Sequence, residues 1–128
     1  MPVQLNHTIV WCQNKKRASE FLVRIVGCPP AVPFYHFLVI QLANNVSLDF
    51  MEKKGPISVQ HYAFLVEEGE FDGILSRIRD ERLSYWADPA QSRPNEINHN
   101  DGGRGVYFED LDGHVLEVIT RPYESPVK

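Results

Sequence analysis

The sequence predicts an α+β fold made of two similar modules, each a strand, a helix and then two or three further strands, and three observations predict it. A His-bearing, β-prone run occurs twice, as Leu5-Asn6-His7-Thr8-Ile9-Val10 and Val59-Gln60-His61-Tyr62-Ala63-Phe64, with the histidines 61 − 7 = 54 positions apart. Each run is followed by apolar residues at i, i+3, i+4 and i+7: Ala18, Phe21, Leu22 and Ile25, then Phe71, Ile74, Leu75 and Ile78. That spacing is one buried helical face. Each module then ends on a strand-like segment with one acid between apolar neighbours, Leu48-Asp49-Phe50 and Leu116-Glu117-Val118.

Taken in order, the first strand covers residues 5–10 and the first helix carries the stripe from Ala18 to Ile25. Strands over 37–42 and 46–51 follow, joined through Asn44-Asn45, a pair that tolerates the positive φ of a tight hairpin. The second module repeats this with a strand over 59–64, a helix through Phe71 to Ile78, and strands over 105–108 and 114–120 around Asp110-Leu111-Asp112-Gly113. The helices are 53 positions apart, one off the histidine offset. The main difference is length: His7 to Asp49 spans 42 positions and His61 to Glu117 spans 56, so 14 are extra. They fall in residues 88–103, whose Pro, Asn, Asp, Ser and Gly make it a loop, and a loop this long is usually a lid or binding element. Either module alone would leave one apolar sheet face bare. A single domain over 1–128 is therefore expected, with repeats over about 3–54 and 57–122.

Bulk properties narrow the function. Thirteen Lys and Arg against 17 Asp and Glu give 13 − 17 = −4, with no basic run, which argues against nucleic acid and anionic membrane surfaces as partners. No apolar stretch approaches the roughly 18 residues of a membrane span, and residues 1–14 lack the pattern of a secretory signal. A cytoplasmic protein is expected, with Cys12 and Cys28 reduced.

Side chains alternate along a strand, so His7 shares a face with Leu5, Ile9 and Trp11, and His61 with Ala63 and Leu65. Asp49 and Glu117 interrupt apolar runs in the same manner. A single histidine on an apolar strand is ordinarily a hydrogen-bonded core residue. Two histidines and two carboxylates at matching places in a repeat share one economical explanation: His7, Asp49, His61 and Glu117 converge on one divalent cation inside a cup built from the two modules. This mixed nitrogen and oxygen set suits Mn, Fe, Co, Ni or Zn with open coordination positions rather than a closed structural zinc site.

The stretch Gly105-Val106-Tyr107-Phe108-Glu109-Asp110-Leu111-Asp112-Gly113-His114-Val115-Leu116-Glu117 resembles the closing hairpin and final metal-binding acid of the vicinal-oxygen-chelate superfamily, apart from Leu111 where a proline is common. The resemblance covers essentially the whole chain. It implies two βαβββ modules forming a cup-like mixed, largely antiparallel sheet with flanking helices, and a homodimer. It also implies that His7, His61 and Glu117 are metal ligands and that Asp49 stands where glyoxalase-like and epimerase-like members place a second acid. The activity implied is metal-dependent proton transfer on a small substrate that chelates through neighbouring oxygens, with Asp49 or Glu117 moving the proton. Two other readings stay open. One is an Fe(II) extradiol-type dioxygenase, with Trp11, Trp86 and Phe37 available for a planar pocket; the other is a metal-free binding protein of the bleomycin-resistance kind, which has no need of four ligands. A fosfomycin thiol transferase would call for a cationic cluster, and apart from Arg104 and Arg121 the sequence offers no clear candidates.

Around the site, Tyr107 resembles a tyrosine of the thiol-transferase members and is a candidate for binding a substrate oxygen, against its plainer reading as wall packing. Arg104 and His99, in or beside the loop, are candidates for closing over an anionic substrate, against solvated loop residues. His36 and Trp86 are candidates for lining the cup. His114, three positions from Glu117, faces the other side of its strand and reads as a hairpin residue. Gly102-Gly103-Arg104-Gly105 precedes a strand, not a helix, and so is a turn rather than a phosphate cradle.

Overall fold

The computed structural model describes residues 2–123. The chain divides into two compact units, Met1–Ser58 and Val59–Lys128. The first contains β1 (His7–Cys12), α1 (Lys15–Val26), β2 (Val32–Phe34), β3 (Phe37–Gln41) and β4 (Ser47–Glu52). Its sheet order is β1-β4-β3-β2, with β1 parallel to β4 and the other pairs antiparallel. The second contains β5 (His61–Leu65), α2 (Glu68–Asp80), β6 (Tyr85–Trp86), β7 (Gly105–Glu109) and β8 (Val115–Ile119), ordered β5-β8-β7-β6 with the same parallel and antiparallel pairs. The α+β class and mixed, largely antiparallel sheets match the sequence reading. The strands the pattern left open are β2, where Pro33 interrupts three residues, and β6, only two residues long. Among the described residues no helix is long and apolar enough to cross a membrane.

Local chemistry sets the element ends. Asn14 caps α1 by accepting from the Arg17 N–H at 3.0 Å, and Gly27 ends it in the left-handed region (φ 89°), its N–H reaching the Val23 carbonyl at 3.1 Å. In α2 the first turn carries Glu68 and Glu70 and the last carries Arg77 and Arg79, signs that complement the helix dipole. Even-numbered strand residues face the core: Val10, Cys12, Ile40, Leu48 and Phe50 with Phe21, Leu22 and Ile25 of α1 in the first unit. Phe64, Val106, Phe108, Leu116 and Val118 do the same in the second, where α2 buries Phe71, Ile74, Leu75 and Ile78.

That alternation corrects one expectation. The histidine-bearing faces are not the apolar inner ones: His7 and His61 are exposed, as are Trp11 and Leu65 on the same faces. The apolar residues of the opposite face form the core, so the odd-numbered face is left for chemistry. The loop over 88–103 is also more tied down than its composition suggested. Asp88 accepts from the Ser92 and Arg93 N–H groups at 3.0 Å each, and isolated bridges join Trp86 to Pro94 and Asn98 to Gly105. Buried Asn98 donates to the Ala87 carbonyl at 2.8 Å.

The β7–β8 turn has its own buried polar network. Asp110 Oδ1 accepts from the N–H groups of Asp112 (3.0 Å) and His114 (2.9 Å). His114 points away from the Glu117 face, as its spacing requires, and is wholly buried, its Nδ1 accepting from the Gln60 N–H at 3.0 Å. Burial pushes the Asp110 carboxyl up from its usual range, against the pull of His114.

Candidate metal-binding and substrate site

In the second unit the parallel pairing of β5 and β8 places His61 opposite Val115 and Ala63 opposite Glu117. Glu117 therefore shares the face of His61, and Glu117 Oε1 lies 2.9 Å from His61 Nε2. The imidazole side chain is 47 % exposed and the carboxylate 14 %. Across the antiparallel β7–β8 pair, Tyr107 is directly opposite Glu117, and its ring meets His61 edge-on with centroids 5.9 Å apart. The Tyr107 phenol is pushed well above its usual value by burial first, then by its hydrogen bond to Glu117 and the negative charges of Glu117 and Asp88. Tyr107 is therefore a neutral donor that orients the carboxylate. These residues line a cavity of about 350 Å³ together with Asn98, Asp101, Arg104 and Arg121.

The first unit repeats the register: His7 pairs with Ser47 and Ile9 with Asp49, so the acid again shares the histidine face. Asp49 is buried, 8 % exposed, and accepts from the Ser47 hydroxyl at 2.9 Å. His7 Nδ1 is 2.8 Å from Asn6 Oδ1. An amide oxygen only accepts, so Nδ1 carries the proton and Nε2 keeps the lone pair that a metal requires. Both residues line a cavity of about 650 Å³ whose walls are Pro29, Pro30, Val32, Pro33, Phe34, Phe37 and Val39, with Asn6, Gln41 and Ser47 as further polar groups.

Each unit thus brings one histidine and one acid to one cavity, and the second adds Tyr107. Among the described residues no group of three or more His, Cys, Asp and Glu is gathered to hold a metal ion, so the donors come as pairs. The chemistry of these pairs fits a divalent cation: with the Asn6 amide oxygen as acceptor, the neutral His7 ring has its Nε2 lone pair free, and a cation taking the place of the proton between His61 Nε2 and Glu117 Oε1 would meet two donor atoms. Arg104 is engaged by α2, its Nε 2.9 Å from Glu68 Oε1, its Nη1 2.7 Å from Asp72 Oδ1, and its guanidinium 4.6 Å above the Phe71 ring centre. Trp86 pairs with Tyr107 across β6 and β7. His36 is exposed in the β2–β3 turn, where its carbonyl accepts from Lys15 Nζ at 3.0 Å, and His99 is exposed just before the turn Asn100–Gly102. Both lie outside the lining of the two cavities.

Sequence reasoning missed the proline and aromatic wall of the first cavity, because Pro29, Pro30 and Pro33 belong to no periodic pattern that would mark a lining. Gln41 was within reach, since it shares the face of Val39 two residues earlier on β3. Asn98 and Asp101 carried no signal beyond loop composition.

No family model matches the chain. Over nearly its whole length it is similar to the solved structure of "Oxidase ChaP-H2", with 54% identity, 98% of each chain covered and a TM-score of 0.94. The "Metallothiol transferase FosB" of Shouchella clausii (strain KSM-K16) is 29% identical over 121 residues, which cover 91% of this chain and 79% of that protein. A glyoxalase/dioxygenase from Nostoc punctiforme, 20% identical, shares the fold with a TM-score of 0.67 over 93% of this chain and 91% of that one.

Proposed function

The chain belongs to the vicinal-oxygen-chelate superfamily, and from that premise we propose that it is a divalent-metal-dependent enzyme oxidising a small substrate that presents neighbouring oxygens. His7, His61 and Glu117 are the ligands in this reading and Asp49 is a fourth donor, the two pairs being completed within one chain or between two copies of a homodimer. The observation that carries it is the 2.9 Å contact between His61 and Glu117 on the face of an open cavity. A bound cation would polarise chelating substrate oxygens and, as iron, supply redox chemistry with dioxygen as oxidant.

The protein's own groups have distinct tasks. The Asn6 side-chain amide oxygen anchors Nδ1 of the His7 ring, and the Tyr107 phenol holds Glu117 in its orientation toward His61. Asp49, with one oxygen fixed by Ser47, is placed to take a proton from a substrate in the first cavity. The apolar wall from Pro29 to Phe37 offers that substrate an apolar surface to pack on. Oxidation is favoured over glyoxalase-like isomerisation by the 54% identity to a protein named an oxidase, and by Phe37 lining the cavity. The isomerase reading draws support from buried Asp49, the second acid that such chemistry uses.

The test is elemental analysis of protein purified without chelator or affinity-tag metal, beside His61→Ala. About one equivalent per chain is expected in the parent, with only background in the variant. A parent that takes up no metal after reconstitution overturns the reading. Dioxygen uptake with aromatic vicinal diols, and no turnover of thiohemiacetals of 2-oxoaldehydes, is expected; the reverse pattern establishes the isomerase instead.

A further inference from the structure

The cavity of the second unit holds a cation that the metal chemistry does not use. Arg121, two residues beyond β8, lines that cavity with His61, Tyr107 and Glu117. Its side chain lies across two glycines. A Cβ on Gly102 would stand 3.2 Å from Arg121 Nη1, and one on Gly103 would stand 3.0 Å from Arg121 Cγ and 2.6 Å from Thr120 Oγ1. Gly102 also has φ +78°, which side chains rarely adopt. Gly103 thus leaves room for the Thr120 hydroxyl and the aliphatic stem of Arg121, while at Gly102 it is the positive φ that favours glycine, the Nη1 end of Arg121 being free to shift.

The two arginines of the cavity are in opposite states. Arg104 is matched by Glu68 and Asp72 and covers Phe71. Arg121 makes no hydrogen bond or ion pair with another described residue. The remaining charged groups of the lining are Asp101, Glu117 and His61, of which Glu117 is already bonded to His61. A guanidinium without a partner among the described residues, exposed at the rim of a cavity, is a two-pronged donor to carboxylate or phosphate oxygens.

We propose that Arg121, whose stem packs beside Gly103, binds an oxyanion on the substrate, so that the compound acted on carries a carboxylate or phosphate group beyond its metal-chelating oxygens. The proposal rests on the metal-dependent reading for the identity of the ligand as substrate, but the subsite itself needs no metal. Arg104 holds α2 to the start of β7, and Arg121 holds the ligand.

The test titrates metal-free, full-length protein with inorganic phosphate and, separately, acetate at constant ionic strength, followed by backbone amide chemical shifts. Saturable shifts of the amides over 100–104 are expected with at least one anion, and the tighter of the two identifies the group. Arg121→Gln should weaken that binding by about tenfold, the scale of one charge-assisted hydrogen bond, with Arg121→Lys weakened less. Equal binding by parent and Arg121→Gln, or no saturable binding of either anion by the parent, overturns the proposal. Metal content separates the two ideas. A parent that takes up no metal on reconstitution, yet whose anion binding depends on Arg121, overturns the metalloenzyme reading and leaves the subsite standing.

Discussion

The two units follow one plan and are finished differently. Counting from Asp49 to Glu117, 117 − 49 = 68, so Phe37 corresponds to Gly105, Val39 to Tyr107, Ile40 to Phe108 and Val46 to His114. In the first unit Phe37 and Val39 are apolar walls of a cavity of about 650 Å³. In the second, Asn98 packs so tightly on Gly105 that a Cβ there would come within 2.8 Å of its Oδ1, and Tyr107 reaches the acid; the cavity is about 350 Å³. The strands place a histidine and an acid in identical register in both units. What surrounds the pair is decided by the connections, prolines in one unit and the loop over 88–103 in the other. The first unit thereby presents a larger, mostly apolar hollow and the second a smaller, more polar one around its His–Glu pair.

The largest effect that sharpens this comparison concerns the two acids. Glu117→Gln should drop metal content to background. Asp49→Asn should weaken affinity by about tenfold, the scale of a supporting group. Chelator competition measures both, and a stronger loss at Asp49 would reverse the assignment of the firmer half-site. Next come the paired core positions, both wholly buried: Phe108→Ala should cost about 3–5 kcal/mol and Ile40→Val about 0.5–1.5 kcal/mol in denaturant unfolding. A smaller difference is carried by the turn. His114→Val gives the second unit the residue type of the first and strips the Gln60 N–H of its acceptor, at a cost of about 1–3 kcal/mol; a neutral result would show that the Asp110–His114 network adds nothing to the turn.

The smallest effect is electrostatic. The Thr120 hydroxyl and then Arg104 hold Glu68 below its ordinary value of 4.5, and Arg104 holds Asp72 below 3.8. A folded-state value that is depressed contributes stability above the ordinary carboxylate range, lost as pH falls through it. Both carboxylates are exposed, so the contribution is small. Arg104→Met should lower the melting temperature slightly near neutrality and converge on the parent at acid pH, which flattens the acid limb of the melting temperature against pH curve.

Much of this was legible from the chain alone. The i, i+3, i+4, i+7 stripes located both helices, the alternation in Leu48-Asp49-Phe50 and Leu116-Glu117-Val118 located the acids, and the repeat itself paired each acid with its histidine. Which face was open was not legible. His7 and His61 have apolar neighbours at i+2, and composition alone does not tell an open apolar strand face from a core face when both alternate. The fate of Arg104 was equally hidden, since its partners Glu68 and Asp72 lie 36 and 32 positions earlier in sequence. The burial of His114 depended on a contact with Gln60, 54 positions away.

The parallel pairing of first and last strands also bears on how freely each unit can change. A parallel partner is reached only by a long excursion of chain, and the entropic penalty of closing that excursion grows with the logarithm of its length. Going from 42 positions between His7 and Asp49 to 56 between His61 and Glu117 adds only about 0.3 kcal/mol on that scaling. Fourteen residues of new binding surface therefore cost the second unit almost nothing in closure. Asn98, Asn100 and Asp101 of that stretch line the cavity, so a change of length over 88–103 would alter the lining while leaving the strand register, and with it the His61–Glu117 pair, intact.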